Sequence, residues 1–87
     1  MAQLVYDLSA LKRDLTNLFR LPIGDRLALN QFYLEAQTVV RRARDANLAL
    51  PPVVTDWLAQ ADARAKDPLL ATTQNAALVA WLQAQPG

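Results

Sequence analysis

The sequence predicts an all-α fold, a small four-helix bundle running antiparallel up and down, on three observations. Apolar residues recur at spacings of three and four along the chain, and no stretch alternates with period two. Proline divides it into four segments at Pro22-Ile23-Gly24, Pro51-Pro52 and Asp67-Pro68, because proline lacks the amide hydrogen and pushes its predecessor out of the α region. The connections left between segments are short, which places successive helices side by side and antiparallel. An orthogonal helical array is the alternative, since Pro51-Pro52 can turn the chain sharply. At 87 residues and 9.6 kDa the chain has room for a single domain over 1–87.

The first helix is expected over about 3–21. Leu4, Leu8, Leu11, Leu15 and Leu18 are spaced four, three, four, three, a heptad seam that Val5 and Phe19 widen into a core-facing stripe. Asp7 near its start and Arg20 near its end suit the helix dipole.

The second helix is expected over 25–46, with Asp25 as N-cap and Asn47 as stop. Projected at the helical period, Leu29, Phe32, Tyr33, Ala36, Val39, Val40 and Ala43 share one face. Leu27 and Leu34 project away from that face, one above the other at i,i+7 spacing.

The third helix is expected over 52–66, opening on Pro52 at a favoured first position. Val54, Trp57, Leu58, Ala61 and Ala65 lie on its buried side, and Asp62 with Lys66 forms an acid-first i,i+4 pair toward solvent. The fourth is expected over 68–85, capped by Asp67, with Thr72-Thr73 either interrupting or recapping it. Its apolar residues nearly encircle the axis. Leu70, Ala77 and Trp81 take one side, Leu78 and Leu82 lie beside them, and Val79 is roughly opposite.

Composition removes most chemistry. With neither Cys nor His, the chain lacks a thiolate nucleophile, a disulfide, the commonest general base and the commonest transition-metal ligands. The acids are Asp7, Asp14, Asp25, Glu35, Asp45, Asp56, Asp62 and Asp67, no two of them three or four apart, so no helical carboxylate ligand pair arises. Ser9 is the sole serine, and two glycines are too few for a phosphate-cradling loop. No enzyme and no cofactor is expected. The N-terminal residues lack the pattern of a signal peptide, and the uncharged segment from Pro68 is interrupted by Thr, Gln and Asn, so neither secretion nor a membrane span is expected and the location read is cytoplasmic.

Two surfaces remain as functional candidates. A small bundle cannot surround a helix that is apolar most of the way round, so surplus apolar area favours association with a protein partner or a second copy. That reading assigns the contact to Leu27, Leu34, Leu78, Val79, Trp81 and Leu82, in a small subunit, adaptor or inhibitor that forms oligomers. The alternative is a nucleic-acid-binding domain using Arg41, Arg42 and Arg44, joined by Arg13 and Arg20, with Tyr6 stacking on bases. Against it, cations at the end of a helix are stabilised by the terminal carbonyls, and Arg41 can pair with Asp45. A helix-turn-helix version is disfavoured because the third helix opens Val53-Val54-Thr55-Asp56, with Arg64 and Lys66 at its far end. A net charge of +1 gives no broad basic surface.

Overall fold

Asp7 opens the first helix. Its backbone is extended and its carboxylate accepts the Ala10 amide at 3.0 Å, so α1 runs Leu8–Phe19. The computed structural model describes residues 6–86. Leu4 and Val5, and with them the expected start of the first helix, lie outside the described residues. Leu11, Leu15 and Leu18 are buried, as the heptad seam requires.

Asp25 caps α2 (Arg26–Asp45) in the same way, accepting from the Ala28 amide at 2.7 Å. The helix stops at Asn47, whose φ of 56° is left-handed. The Asn47 amide donates to the Arg44 carbonyl at 3.0 Å and the Leu48 amide to the Ala43 carbonyl at 2.8 Å, a Schellman closure of the last turn.

The third expected helix is two. Its first part, α3 (Pro52–Ala59), ends at Gln60, whose φ of −119° and ψ of 31° leave the helical region, and α4 (Ala61–Lys66) follows. The break changes which residues face inward. Ala65, expected to be buried, is exposed, and Arg64 takes the interior position at 3% exposure. The fourth expected helix is α5 (Pro68–Ala84). Asp67 caps it by accepting from the amides of Leu69 and Leu70 at 3.0 and 3.3 Å. Thr72-Thr73 does not interrupt it: the Thr72 hydroxyl donates to the Pro68 carbonyl at 3.0 Å within a continuous helix.

Among the described residues there are five helical segments and no strand. Helix α2 packs against α1 on one flank and α3 and α4 on the other, while α5 lies on α3 and α4. The core gathers Leu11, Leu15 and Leu18 with Phe32, Ala36 and Val39, then Val54, Trp57 and Leu58, Ala61, and Leu78. Its aromatic centre is Trp57, edge-on to Phe32 at 5.3 Å and stacked with Phe19 at 6.1 Å.

Arg64 enters this apolar centre with no carboxylate among the described residues within ion-pair distance. Its guanidinium lies 4.4 Å over the Trp57 ring and 5.6 Å over Phe32. Nη1 donates to the Trp57 carbonyl, in the last turn of α3 where helical acceptors lack a partner, and to Gln74 Oε1 at 3.1 Å. Gln74 Nε2 in turn donates to Gln60 Oε1 at 2.8 Å, and Trp57 Nε1 donates to Asn75 Oδ1 at 2.8 Å. Among the described residues no buried side-chain nitrogen or oxygen lacks a partner. Burial pulls the Arg64 pKa down to about 10, which leaves the group charged at neutral pH.

Candidate functional site

Leu27 and Leu34 stand on the outward side of α2, 80% and 62% exposed. The capped start at Asp25 sets the phase of the helix, and Phe32, Ala36, Val39 and Ala43 turn their side into the core. The i,i+7 pair therefore has to face solvent. The fourth helix divides the other expected contact residues. Leu78 is fully buried and belongs to the core, so it is removed from any partner contact. Val79 is half-buried, and Trp81 and Leu82 are half-buried and packed against the core cluster. The outward side of α5 carries Leu69, 81% exposed, with exposed Thr73, Ala76, Ala80 and Ala84 and no charge.

The arginines of α2 leave the helix on two flanks. Arg42 turns toward α1, where its Nη1 reaches Asp14 Oδ2 at 3.2 Å. The Tyr6 hydroxyl donates to the same oxygen at 2.9 Å. Tyr6, expected to be exposed and available for base stacking, is half-buried against the core, and burial first and the Asp14 carboxylate second push its phenol above the ordinary tyrosine value. Arg13 on α1 and Arg20 just past its end are exposed. A carboxylate thus sits at the centre of the Tyr6 and Arg42 group, occupying the hydroxyl and guanidinium that the nucleic-acid reading uses.

Arg41 and Arg44 turn the other way, onto a groove of about 680 Å³ between α2 and α3. Tyr33, Ala36, Gln37 and Val40 of α2 and Thr55, Leu58 and Ala59 of α3 complete its lining, with Ala36 and Leu58 buried and Val40 and Ala59 exposed. Val40, expected in the core, is 39% exposed and lies in this groove. Small residues at Ala36 and Ala59 leave the space. The expected Arg41–Asp45 and Asp62–Lys66 pairs are not within 4.0 Å. Asp62 is instead engaged by the Tyr33 hydroxyl, which donates to Oδ1 at 2.7 Å and holds the carboxylate below its ordinary pKa.

The groove was not among the expected surfaces. Its signal in the sequence is Arg41 and Arg44, three apart on one flank, beside a valine at the margin of the apolar face. Among the described residues no group of three or more His, Cys, Asp or Glu could hold a metal ion, and no helix is long and apolar enough to cross a membrane. Comparison with known proteins gave no matching protein family, no matching curated relative and no matching solved structure.

Proposed function

We propose that the chain is a non-enzymatic helical interaction module, a small cytoplasmic subunit, adaptor or inhibitor that acts by occupying another protein's surface or that of its own copy. The observation that carries this reading is the solvent-facing pair Leu27 and Leu34. Two leucines stacked on a helix face opposite the core cost solubility in a lone domain and gain apolar burial when covered, on the order of 1.5–3 kcal/mol each when covered completely. Leu69 and the uncharged outer side of α5 add a second apolar area, with Val79, Trp81 and Leu82 at its inner margin.

Molar mass in solution across a concentration series, by light scattering on a sizing column, tests it. Self-association raises the mass above 9.6 kDa, and Leu27→Gln with Leu34→Gln returns it to the monomer while the helical circular dichroism signal is kept. A double variant that unfolds places those leucines in the core and removes the ridge. A wild-type monomer at every concentration assigns the ridge to a different protein.

A further inference from the structure

We infer that the groove between α2 and α3 receives a short amphipathic helix from a partner protein, with its apolar side on Val40 and Ala59, above the buried Ala36 and Leu58, and its carboxylates on Arg41 and Arg44. This names the chemistry of a partner and rests on the interaction-module reading, but on a different face of α2 from the leucine ridge.

The groove is lined by apolar side chains and by two arginines, and no carboxylate among the described residues lines it. Neither Arg41 nor Arg44 has a carboxylate within 4.0 Å among the described residues, whereas Arg42, between them in sequence, is paired with Asp14. Two unpaired guanidinium groups beside exposed apolar surface call for an occupant that brings both apolar area and negative charge. Length selects a helix. The eight residues of α3 make a wall about 12 Å long, roughly two turns of an incoming helix. Arg41 and Arg44 are three residues apart, so their heads are offset along α2 by about one turn, the interval at which Glu or Asp recurs on one helix face. The groove is also open to solvent along its length, where a small amphiphile would leave much of its surface wet and a helix laid between α2 and α3 would complete a three-helix layer. A nucleic acid would satisfy the arginines and leave exposed Val40 and Ala59 without apolar cover.

A display library of helical peptides, with Leu fixed at i, i+3 and i+7 and the other positions randomised, is selected against the full chain. Glu or Asp should be enriched at two positions one turn apart. Those peptides should bind Arg41→Glu with Arg44→Glu at least roughly tenfold more weakly, and replacing their two acids by Lys should restore binding to that variant. Rescue by the swapped peptide keeps the result readable should the reversal disturb the end of α2. The Leu27→Gln, Leu34→Gln variant should bind the selected peptides as the wild type does, which separates failure of the ridge from failure of the groove. The inference is overturned if no peptide is recovered, if recovered peptides lack the paired acids, or if the charge reversal leaves their binding unchanged. An oligothymidylate that displaces them at low salt would assign the arginines to phosphate instead, and peptide binding that emerges only on dilution would assign the groove to a second copy.

Discussion

Tyr33 and Asp62, 29 residues apart, exchange two hydrogen bonds: the phenol donates to the carboxylate at 2.7 Å and accepts from the Asp62 amide at 2.9 Å. That amide is one of the first N–H groups of α4, which have no acceptor within the helix, and Gln60 makes no side-chain capping bond to them. A tyrosine from α2 therefore does what a Ser or Asp cap does elsewhere. Arg64 secures the same break from the inside, so the bend at Gln60 is held on both faces.

Tyr33→Phe keeps the ring, which is edge-on to Phe32 at 5.8 Å, and deletes both bonds. Its melting temperature should fall below that of the wild type, by an amount that depends on pH. The Tyr33 hydrogen bond holds the Asp62 carboxyl below its ordinary value of 3.8, so the stabilisation is complete above that pH and is lost as pH falls through the lowered folded value. Burial raises the Tyr33 phenol above 10.0, so its contribution is complete below that pH and is lost as pH rises through the raised value. The gap between the two proteins should be widest between those limits and narrow toward both ends. Thermal melts across the pH range check this; a constant gap would mean that the phenol–carboxylate bond does not form in solution.

Arg64→Ala should destabilise by about 2–4 kcal/mol, because it strips the cover from Trp57 and leaves the Trp57 carbonyl and Gln74 without their donor. Arg64→Met retains apolar contact with the rings and should lose less. Arg64→Lys supplies a donor without the planar stacking surface and should recover only part of the loss. Urea unfolding of the three variants gives the order. A Met variant as stable as the wild type would show that the buried charge contributes no net stability, the balance found when desolvation cancels the gains.

Two leucines nine positions apart on α5 provide an internal contrast. Leu78→Ala empties a fully buried site and should cost about 2–5 kcal/mol. Leu69, at 81% exposure, should tolerate Ala within about 0.5 kcal/mol. Equal effects at the two positions, measured by chemical denaturation, would contradict the orientation of α5 and with it the removal of Leu78 from the partner surface.

Residues that act through local spacing were legible in the sequence, and those that act through tertiary rearrangement were not. The caps at Asp25 and Asp67, the prolines at Pro52 and Pro68 and the leucines of α1 depend on neighbours within one turn, and they stand where their spacing places them, whereas Asp7, expected inside the first helix as a dipole partner, is its N-cap. The break at Gln60 has no glycine or proline to announce it. Partners distant in sequence hold it: Tyr33, Gln74 and the aromatic pair that accepts Arg64. Once the helix breaks, the periodicity read across it fails, and Arg64 displaces Ala65 from the interior. Leu78 was misplaced because a helix apolar on all sides has no periodic signal to say which side packs. The Leu27 and Leu34 ridge was legible because it lies opposite a well-defined apolar face, whereas the groove needed two helices in contact before Arg41 and Arg44 had a shared boundary.

Asn47 ends α2 at a φ of 56°, a region in which a side chain with a Cβ is strained and Asn is tolerated better than most residues. The closure has two parts, the backbone bonds from Asn47 and Leu48 and the packing of Leu48 against the core. Asn47→Gly removes the steric penalty and keeps both parts, so it should be neutral or stabilising by a few tenths of a kcal/mol, the gain in the folded state being offset by the greater freedom of glycine when unfolded. Asn47→Ala keeps the penalty and loses the polar side chain that eases it, and should cost about 1 kcal/mol. Because the direction of the chain into Pro51 and α3 depends on this turn, Asn47→Ala should also loosen the α2/α3 groove. Amide hydrogen exchange at Leu48 and in the last turn of α2 reads the local effect and denaturant unfolding the global one; an Ala variant indistinguishable from the wild type in both would mean that α2 is stopped by the packing of Leu48 alone.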